Sequence, residues 1–341
     1  MLARSLAGLA LWLTAFVAPG FARDADDVLS AAKLATGGDD WNRVSAIRYT
    51  FTLRQSGLQG SGETLVDLVG GRYLTRYRLG PMKGADGFDG RQAWTQDDAG
   101  LVTIAEGADL YARALSERYR NTLAYWYPAR GRAQISERMQ LFRVRIKEIV
   151  SVKPEGGLPF DMWFDAETKR LERVVEDGAS ETRVIMFDDY RPVGGLMLAH
   201  RIRSSNAAAD FGTERQVTKV ELNPAVAERD FAMPAAPPPD FAFEGGASQT
   251  VLPFRLINNH IYVDAKLNGR AFSLLVDSGA ADVITPTTAM ALRLASVGEA
   301  RMNGTGEGSE DAAFTRVAAL ALGDAVLRNQ LFAVVPLEKF G

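Results

Sequence analysis

Apolar and polar residues alternate with a period of two along much of this chain, which commits it to β-sheet before any other reading is possible. Ile47, Tyr49, Phe51 and Leu53 alternate with Arg48, Thr50 and Thr52, and Ser56–Gly62 then supplies turn residues. The alternation recurs over 73–79 and at Phe142, Val144 and Ile146, where Arg143, Arg145 and Lys147 face the other way. Successive side chains of a strand point to opposite faces, so each of these strands has one wet face. Further strands are expected over 160–164, 171–175, 183–187 and 196–202, with turns at 165–168 and 192–195. Within residues 23–232 helical spacing is confined to two stretches. Residues 24–36 carry acidic groups in the first turn and Gly37-Gly38 after the end. Residues 109–127 place Leu115, Tyr119, Leu123 and Trp126 on one side and stop before Pro128.

Composition bounds the number of such sheets. With 341 residues, 47% of them hydrophobic, the chain has material for two cores. The boundary is expected at 233–250: Met233–Asp240 is too rich in proline to continue a helix or a central strand, and Gly245, Gly246 and Ser248 loosen the chain beyond it. The units are then 23–232 and 251–341. Residues 1–22 carry Arg4, an apolar run from Leu6 to Val17, and a Pro19-Gly20 break. This is the layout of a secretory signal peptide, and it predicts a periplasmic or secreted protein. The chain has no cysteine, which removes disulfides, zinc–thiolate sites and thiol nucleophiles. A formal charge of -3 gives no reason to expect nucleic acid as a partner.

In the second unit, Ile261–Leu267 and Ala271–Val276 flank Asn268-Gly269, a strong signal for a two-residue hairpin turn. The hairpin is expected to deliver Asp277 at the end of a buried strand. Asp277-Ser278-Gly279 alone is weak evidence, because such residues make ordinary turns; the apolar run Leu274-Leu275-Val276 before it shifts the odds. Downstream come a short helical stretch at 289–294, a glycine-rich tip at 303–309, and strands over 316–322 and 325–335.

The run Asn268-Gly269-Arg270-Ala271-Phe272-Ser273-Leu274-Leu275-Val276-Asp277-Ser278-Gly279-Ala280 resembles the opening hairpin and catalytic loop of retropepsin-like aspartic peptidases. The resemblance covers about 90 residues and implies a retropepsin-like β-barrel half. It implies that Asp277 is the catalytic carboxylate, that Ser278 braces the opposing loop, and that Gly279 lets the backbone turn beside it. It also implies a flap over the peptide at Gly304, Thr305, Gly306, Glu307 and Gly308. Only one Asp-Ser/Thr-Gly occurs, so the resemblance implies a homodimer acting on a peptide or protein substrate, with no metal or organic cofactor. The family's later hydrophobic-hydrophobic-Gly segment is not found before Gly341, and the expectation is a fragment or a degenerate copy.

The first unit resembles periplasmic lipoprotein-carrier domains at three strand–turn–strand segments: Gly87–Trp94, Trp163–Thr168, and Phe187–Pro192 leading to His200. In that family an incomplete β-barrel cradles an acyl or other apolar ligand under helices. The fold class expected for the whole chain is mainly β (α+β), an N-terminal curved antiparallel sheet followed by the peptidase half. Against the leading reading, an exported aspartic endopeptidase, stands a non-enzymatic periplasmic lipid- or lipoprotein-binding protein with a peptidase remnant. A sheet that only packs its own core is the plain alternative to ligand binding for the first unit, and a structural spacer or substrate-presenting arm for the peptidase is a third reading. Asp210-Phe211-Gly212 lacks the glycine-rich loop that a kinase reading would need and is read as a turn. His200 and His260 are too few for a histidine metal site.

Overall fold

The computed structural model describes residues 24–142, 145–177, 182–205, 212–235, 237–277, 282–303 and 309–336. Chain order begins with helix α1 (Ala25–Ala35), then strands β1 (Ala46–Gln55), β2 (Leu58–Asp67), β3 (Arg72–Leu79), β4 (Met82–Phe88), β5 (Ala93–Gln96) and β6 (Val102–Ile104). Helix α2 (Ala108–Asn121) is next, then β7 (Ala133–Phe142), β8 (Arg145–Pro154), β9 (Phe160–Asp165), β10 (Leu171–Asp177), β11 (Thr182–Val193), β12 (Leu196–Ser205) and β13 (Thr213–Leu222). These strands form one 13-stranded antiparallel sheet in the order β6 to β1, then β13 down to β7. The sheet is an open, curled half-barrel whose edges are β6 and β7, and the helices cover its concave side. From α1, Val28, Leu29 and Ala32 pack against Tyr125, Val150 and Met162.

The second sheet contains β14 (Phe241–Phe243), β15 (Phe254–Ile257), β16 (His260–Leu267), β17 (Arg270–Leu275) and β18 (Val283–Ile284). Helix α3 (Pro286–Ala291) precedes β19 (Val297–Asn303), β20 (Ser309–Leu322) and β21 (Ala325–Val334). Its backbone order is β14-β21-β20-β16-β15, with β17 on β16, β19 on β20, and β18 parallel to β21. Its core is Ala265, Leu267, Ile284, Val317, Leu320 and Phe332. The two sheets meet where Ala300 joins Phe51, Leu53, Leu58 and Leu79. Beside that contact the Arg316 guanidinium donates to Asp98 at 2.7 Å and to the Pro81 carbonyl at 3.1 Å.

Three expectations are corrected. The turn after β1 is only Ser56-Gly57, both at positive φ, and β2 starts at Leu58 because Gln55 pairs directly with it. The second helix ends at Asn121 rather than 127. Thr122 turns its hydroxyl onto the Arg118 carbonyl and Leu123 is left-handed at φ 54, so the chain continues in short 3-10 turns at 124–126 and 128–130. Around the stretch read as a linker, Phe231 is buried under the Trp94 indole, and Phe241–Phe243 already pair with β21. Residues 241–243 of the stretch expected as linker are thus a strand of the second sheet. Asp210 and Phe211 lie outside the described residues, as do residues 1–22.

The segments that carried the carrier-domain resemblance share a physical device. At each of two tight turns an aspartate accepts backbone N–H groups: Asp89 from Arg91 and Gln92, Asp165 from Glu167 and Thr168. Asp165 is 1% exposed, and its second oxygen accepts from Lys147 at 2.8 Å, which also donates to Glu172 at 2.6 Å. Burial pushes the Asp165 carboxyl up, but the Lys147 and Thr168 hydrogen bonds outweigh it and hold the group below the usual carboxylate range. A depressed folded-state value stabilises the fold above the unfolded value of about 3.9, and that stability is lost as pH falls toward the folded one. Asp165→Ala, which leaves the buried ammonium with Glu172 as its one carboxylate partner and frees the turn N–H groups, should cost about 1–3 kcal/mol at neutral pH in urea denaturation. The deficit should shrink in strong acid, where the parent carboxylate is itself protonated.

Candidate functional site

The hairpin that carries Asp277 forms for the reason the sequence suggests. Asn268 (φ 49) and Gly269 (φ 82) both adopt the left-handed conformations of a two-residue turn, and Leu267 pairs with Arg270 across it. The turn is fixed to β20 by Asn268, whose N–H donates to the Ala319 carbonyl at 2.8 Å and whose side-chain oxygen accepts from the Ala319 N–H at 3.0 Å. At the far end the Val276 N–H donates to the Ile261 carbonyl at 2.9 Å, and Asp277 comes next, in solvent. The chain re-enters at β18, where the Asp282 carbonyl accepts from Ala333 at 2.8 Å. Thr285 then caps α3 by accepting from the Thr288 N–H at 3.2 Å.

The strand leading to Asp277 is not buried, and this corrects the expectation. Among the described residues β17 has one hydrogen-bonded neighbour, β16, so half of its edge and much of one face are open. Phe272 and Leu274 turn toward the core, in line with Ala265 and Val263 across the ladder. Farther along the same face the apolar side chains stand in solvent: Phe254 is 60% exposed, Leu256 63%, Ile261 40% and Val276 53%. Leu256 pairs with Ile261, so these residues continue the core face beyond the core that one chain supplies. The opposite face is mixed: Arg255 donates to Asp264 at 3.0 Å and to Ser273 at 2.7 Å, beside the exposed Ile257 and Leu275.

Of the residues singled out in the sequence, the structure places Asp277 in an exposed position at the mouth of the hairpin. Ser278, Gly279 and Ala280 lie outside the described residues, as do Gly304, Thr305, Gly306, Glu307 and Gly308. The strands on either side of the latter are described, and the ladder between β19 and β20 runs up to Asn303 paired with Ser309. Among the described residues, no group of three or more His, Asp or Glu side chains is placed to hold a metal ion.

A second site lies in the half-barrel, where the concave face of the sheet encloses a cavity of about 300 Å³ under α1 and the 3-10 turns. The register explains its floor. Ile47, Val66, Tyr73 and Phe88 are opposite one another across β1 to β4 and form an apolar row. Two residues on, Tyr49, Thr64, Thr75 and Asp86 form a polar row on the same face. Beyond it Phe51 is opposite Gly62, where a Cβ would stand 2.6 Å from the Phe51 ring. From the other half of the sheet Arg183 and Arg215 reach into the same space, and α2 adds Glu117 and Arg120.

The electrostatics of these groups are uneven. Glu117 accepts from Arg183 at 3.0 Å and from the Tyr73 hydroxyl at 3.3 Å, and Arg120 is bonded to Glu176. Burial raises the Asp86 carboxyl to about 6, against the pull of Arg215. Burial also lowers Arg215, whose guanidinium lies 5.1 Å from the Phe51 ring centroid. Sequence reading missed these residues. Their signal was charge at an inward-facing register position, Arg183 in step with Ile185 and Phe187 and Arg215 in step with Val217, which becomes legible only once the faces are assigned.

Residues 263–340 match the family model described as aspartyl protease. Solved structures similar to this chain include an outer membrane lipoprotein-sorting protein domain from Vibrio parahaemolyticus, with 11% identity and a TM-score of 0.41, covering 60% of this chain and 95% of that one. A DUF1329 family protein from Desulfovibrio piger has 10% identity and a TM-score of 0.41, covering 61% and 95%. A LolA superfamily protein from Nitrosomonas europaea has 12% identity and a TM-score of 0.43, covering 62% and 99%. No curated protein matches the chain. The chain thus carries an aspartyl-protease-like segment behind an open antiparallel half-barrel.

Proposed function

We propose that this protein is an exported aspartic endopeptidase of retropepsin type, in which two copies of the chain each contribute Asp277 to one site. The observation that carries the reading is the aspartyl protease match over 263–340, with Asp277 standing in solvent at the end of β17. Two such carboxylates brought together share one proton, because like charges in contact cannot both ionise. The ionised one takes a proton from water, whose oxygen attacks the peptide carbonyl carbon. The protonated one donates to the carbonyl oxygen, and collapse of the tetrahedral species expels the amine with a proton. In this reading Ser278 braces the facing loop, Gly279 makes room for it, and Gly304–Gly308 close over the peptide as a flap.

The uncovered row of Phe254, Leu256, Ile261 and Val276 supports the pairing of two chains, since it extends a core face that one chain leaves bare. A second reading is favoured by the cavity of about 300 Å³: the half-barrel binds an apolar ligand, whether or not the peptidase half is active. Periplasmic or secreted localisation belongs to both readings and rests on the signal-like layout of residues 1–22.

Asp277→Asn should leave the fold intact and lower pepstatin-sensitive peptide hydrolysis by at least about 10³-fold. Hydrolysis that survives this change would sink the peptidase reading. Leu256→Asp alters an exposed side chain and should change stability by no more than about 0.5 kcal/mol. In sedimentation it should convert dimer to monomer, and hydrolysis should disappear with the dimer; an active monomer would rule out the two-chain site.

A further inference from the structure

The half-barrel cavity is not a plain apolar slot. A polar row crosses its floor, and the ionisable groups around that row are unequally satisfied. Glu117, Arg183 and Arg120 are consumed by one another, by Tyr73 and by Glu176. Asp86 and Arg215 remain. Both line the cavity, they are electrostatically coupled, and among the described residues neither has a hydrogen-bond or ion-pair partner. The Arg215 guanidinium lies 5.1 Å from the centroid of the Phe51 ring, at the wall of the same cavity. An arginine that lines a cavity without an acceptor from the protein leaves its donors for the acceptor of a ligand.

The remainder of the lining limits what that acceptor is attached to. Beside the polar row the floor is Ile47, Val66 and Leu68, and the roof is Leu123 and Trp126, side chains that offer an alkyl chain dispersion contacts. We propose that the cavity binds a fatty-acid-type amphiphile, with its alkyl chain along this apolar wall and its single carboxylate held between Arg215 and Asp86. This rests on the second reading above, that the half-barrel is a ligand site. The guanidinium fork matches a carboxylate in two parallel hydrogen bonds. Asp86 is complementary when it carries a proton, since its O–H then donates to the ligand carboxylate. The two acids share that proton as a paired carboxyl site does. No bond is made or broken.

The groups that face Asp86 set the pH dependence. Arg215 and Arg183 favour its ionised form, Glu117 opposes it, and burial opposes it most, so that it titrates near 6. Tyr77, coupled to both Asp86 and Arg215, stays neutral because burial raises it. A carboxylate ligand is therefore held best between its own carboxyl pKa, roughly that of an exposed acid, and about 6, and more weakly once Asp86 has lost its proton.

The test uses the full chain without residues 1–22, with lauric acid and lauryl alcohol as probes of equal chain length, by titration calorimetry. The acid should bind at least about tenfold more tightly than the alcohol, as charge-assisted hydrogen bonds to a guanidinium require. Its advantage should shrink as pH rises through about 6. Arg215→Met should remove the advantage and keep alcohol binding, and Asp86→Asn should remove the pH dependence. Equal binding of acid and alcohol by the parent would overturn the headgroup assignment while leaving the ligand site standing. Binding of neither would overturn both. If Arg215→Met does not fold, the ratio in the parent and its change with pH decide the matter alone.

Discussion

Pairing of β1 with β13 is the constraint on which the first sheet depends. It joins Ile47 to Leu222 and Gln55 to Thr213, with a bulge at Thr50/Phe51, and so connects strands at opposite ends of the domain's sequence. Without it β1 to β6 and β7 to β13 would be two separate ribbons of hairpins, each with one apolar face and nothing to enclose. Closing a segment of roughly 170 residues costs on the order of 5 kcal/mol in chain entropy. The return comes from ladder hydrogen bonds, from the Arg48–Glu221 pair at 3.0 Å, and from the shared core that only the joined sheet can bury. The same join makes the cavity, since Asp86 belongs to one ribbon and Arg215 to the other.

The two units of the chain share structure at one point. Phe51 lines the cavity, supports Arg215 through its ring, and lies in the cluster that receives Ala300 from the β19–β20 hairpin. Arg316 on β20 reaches Asp98 and Pro81 on the first sheet beside it. The hairpin that brackets Gly304–Gly308 is thus rooted on the half-barrel, whereas the hairpin that presents Asp277 has an uncovered apolar row. One side of the second unit is held by its own chain, and the other is left for something else to cover.

Much of this architecture was legible from periodicity. The alternation at Ile47–Leu53 and at 183–187 marks strands because a residue's face is set by parity alone, and Asn268-Gly269 marks its turn because both residues tolerate positive φ. The extent of the second helix was not legible, because apolar spacing carries on through Leu123 and Trp126 although Leu123 is left-handed and the chain has left the helix. Nor was the exposure of β17. Leu274-Leu275-Val276 looks like a buried strand by composition, and only the sheet order shows that β17 has a single neighbour among the described residues. The cavity groups were hidden for a related reason: Asp86 and Arg215 are far apart in sequence and become a pair only through the β1–β13 join. Asp277, by contrast, was singled out by a local motif, since the catalytic loop proposed for it spans only a few consecutive residues.

In the proposed mechanism Asp277 works only in company with a second Asp277. Subunit mixing tests this most directly: parent chain is equilibrated with increasing proportions of Asp277→Asn chain at constant total concentration, and peptide hydrolysis is followed. If each active site needs two carboxylates from two chains, activity falls with the square of the parent fraction, because every mixed dimer is inactive. A decline in simple proportion to the parent fraction would mean that one chain carries a complete site, and would contradict the two-chain mechanism.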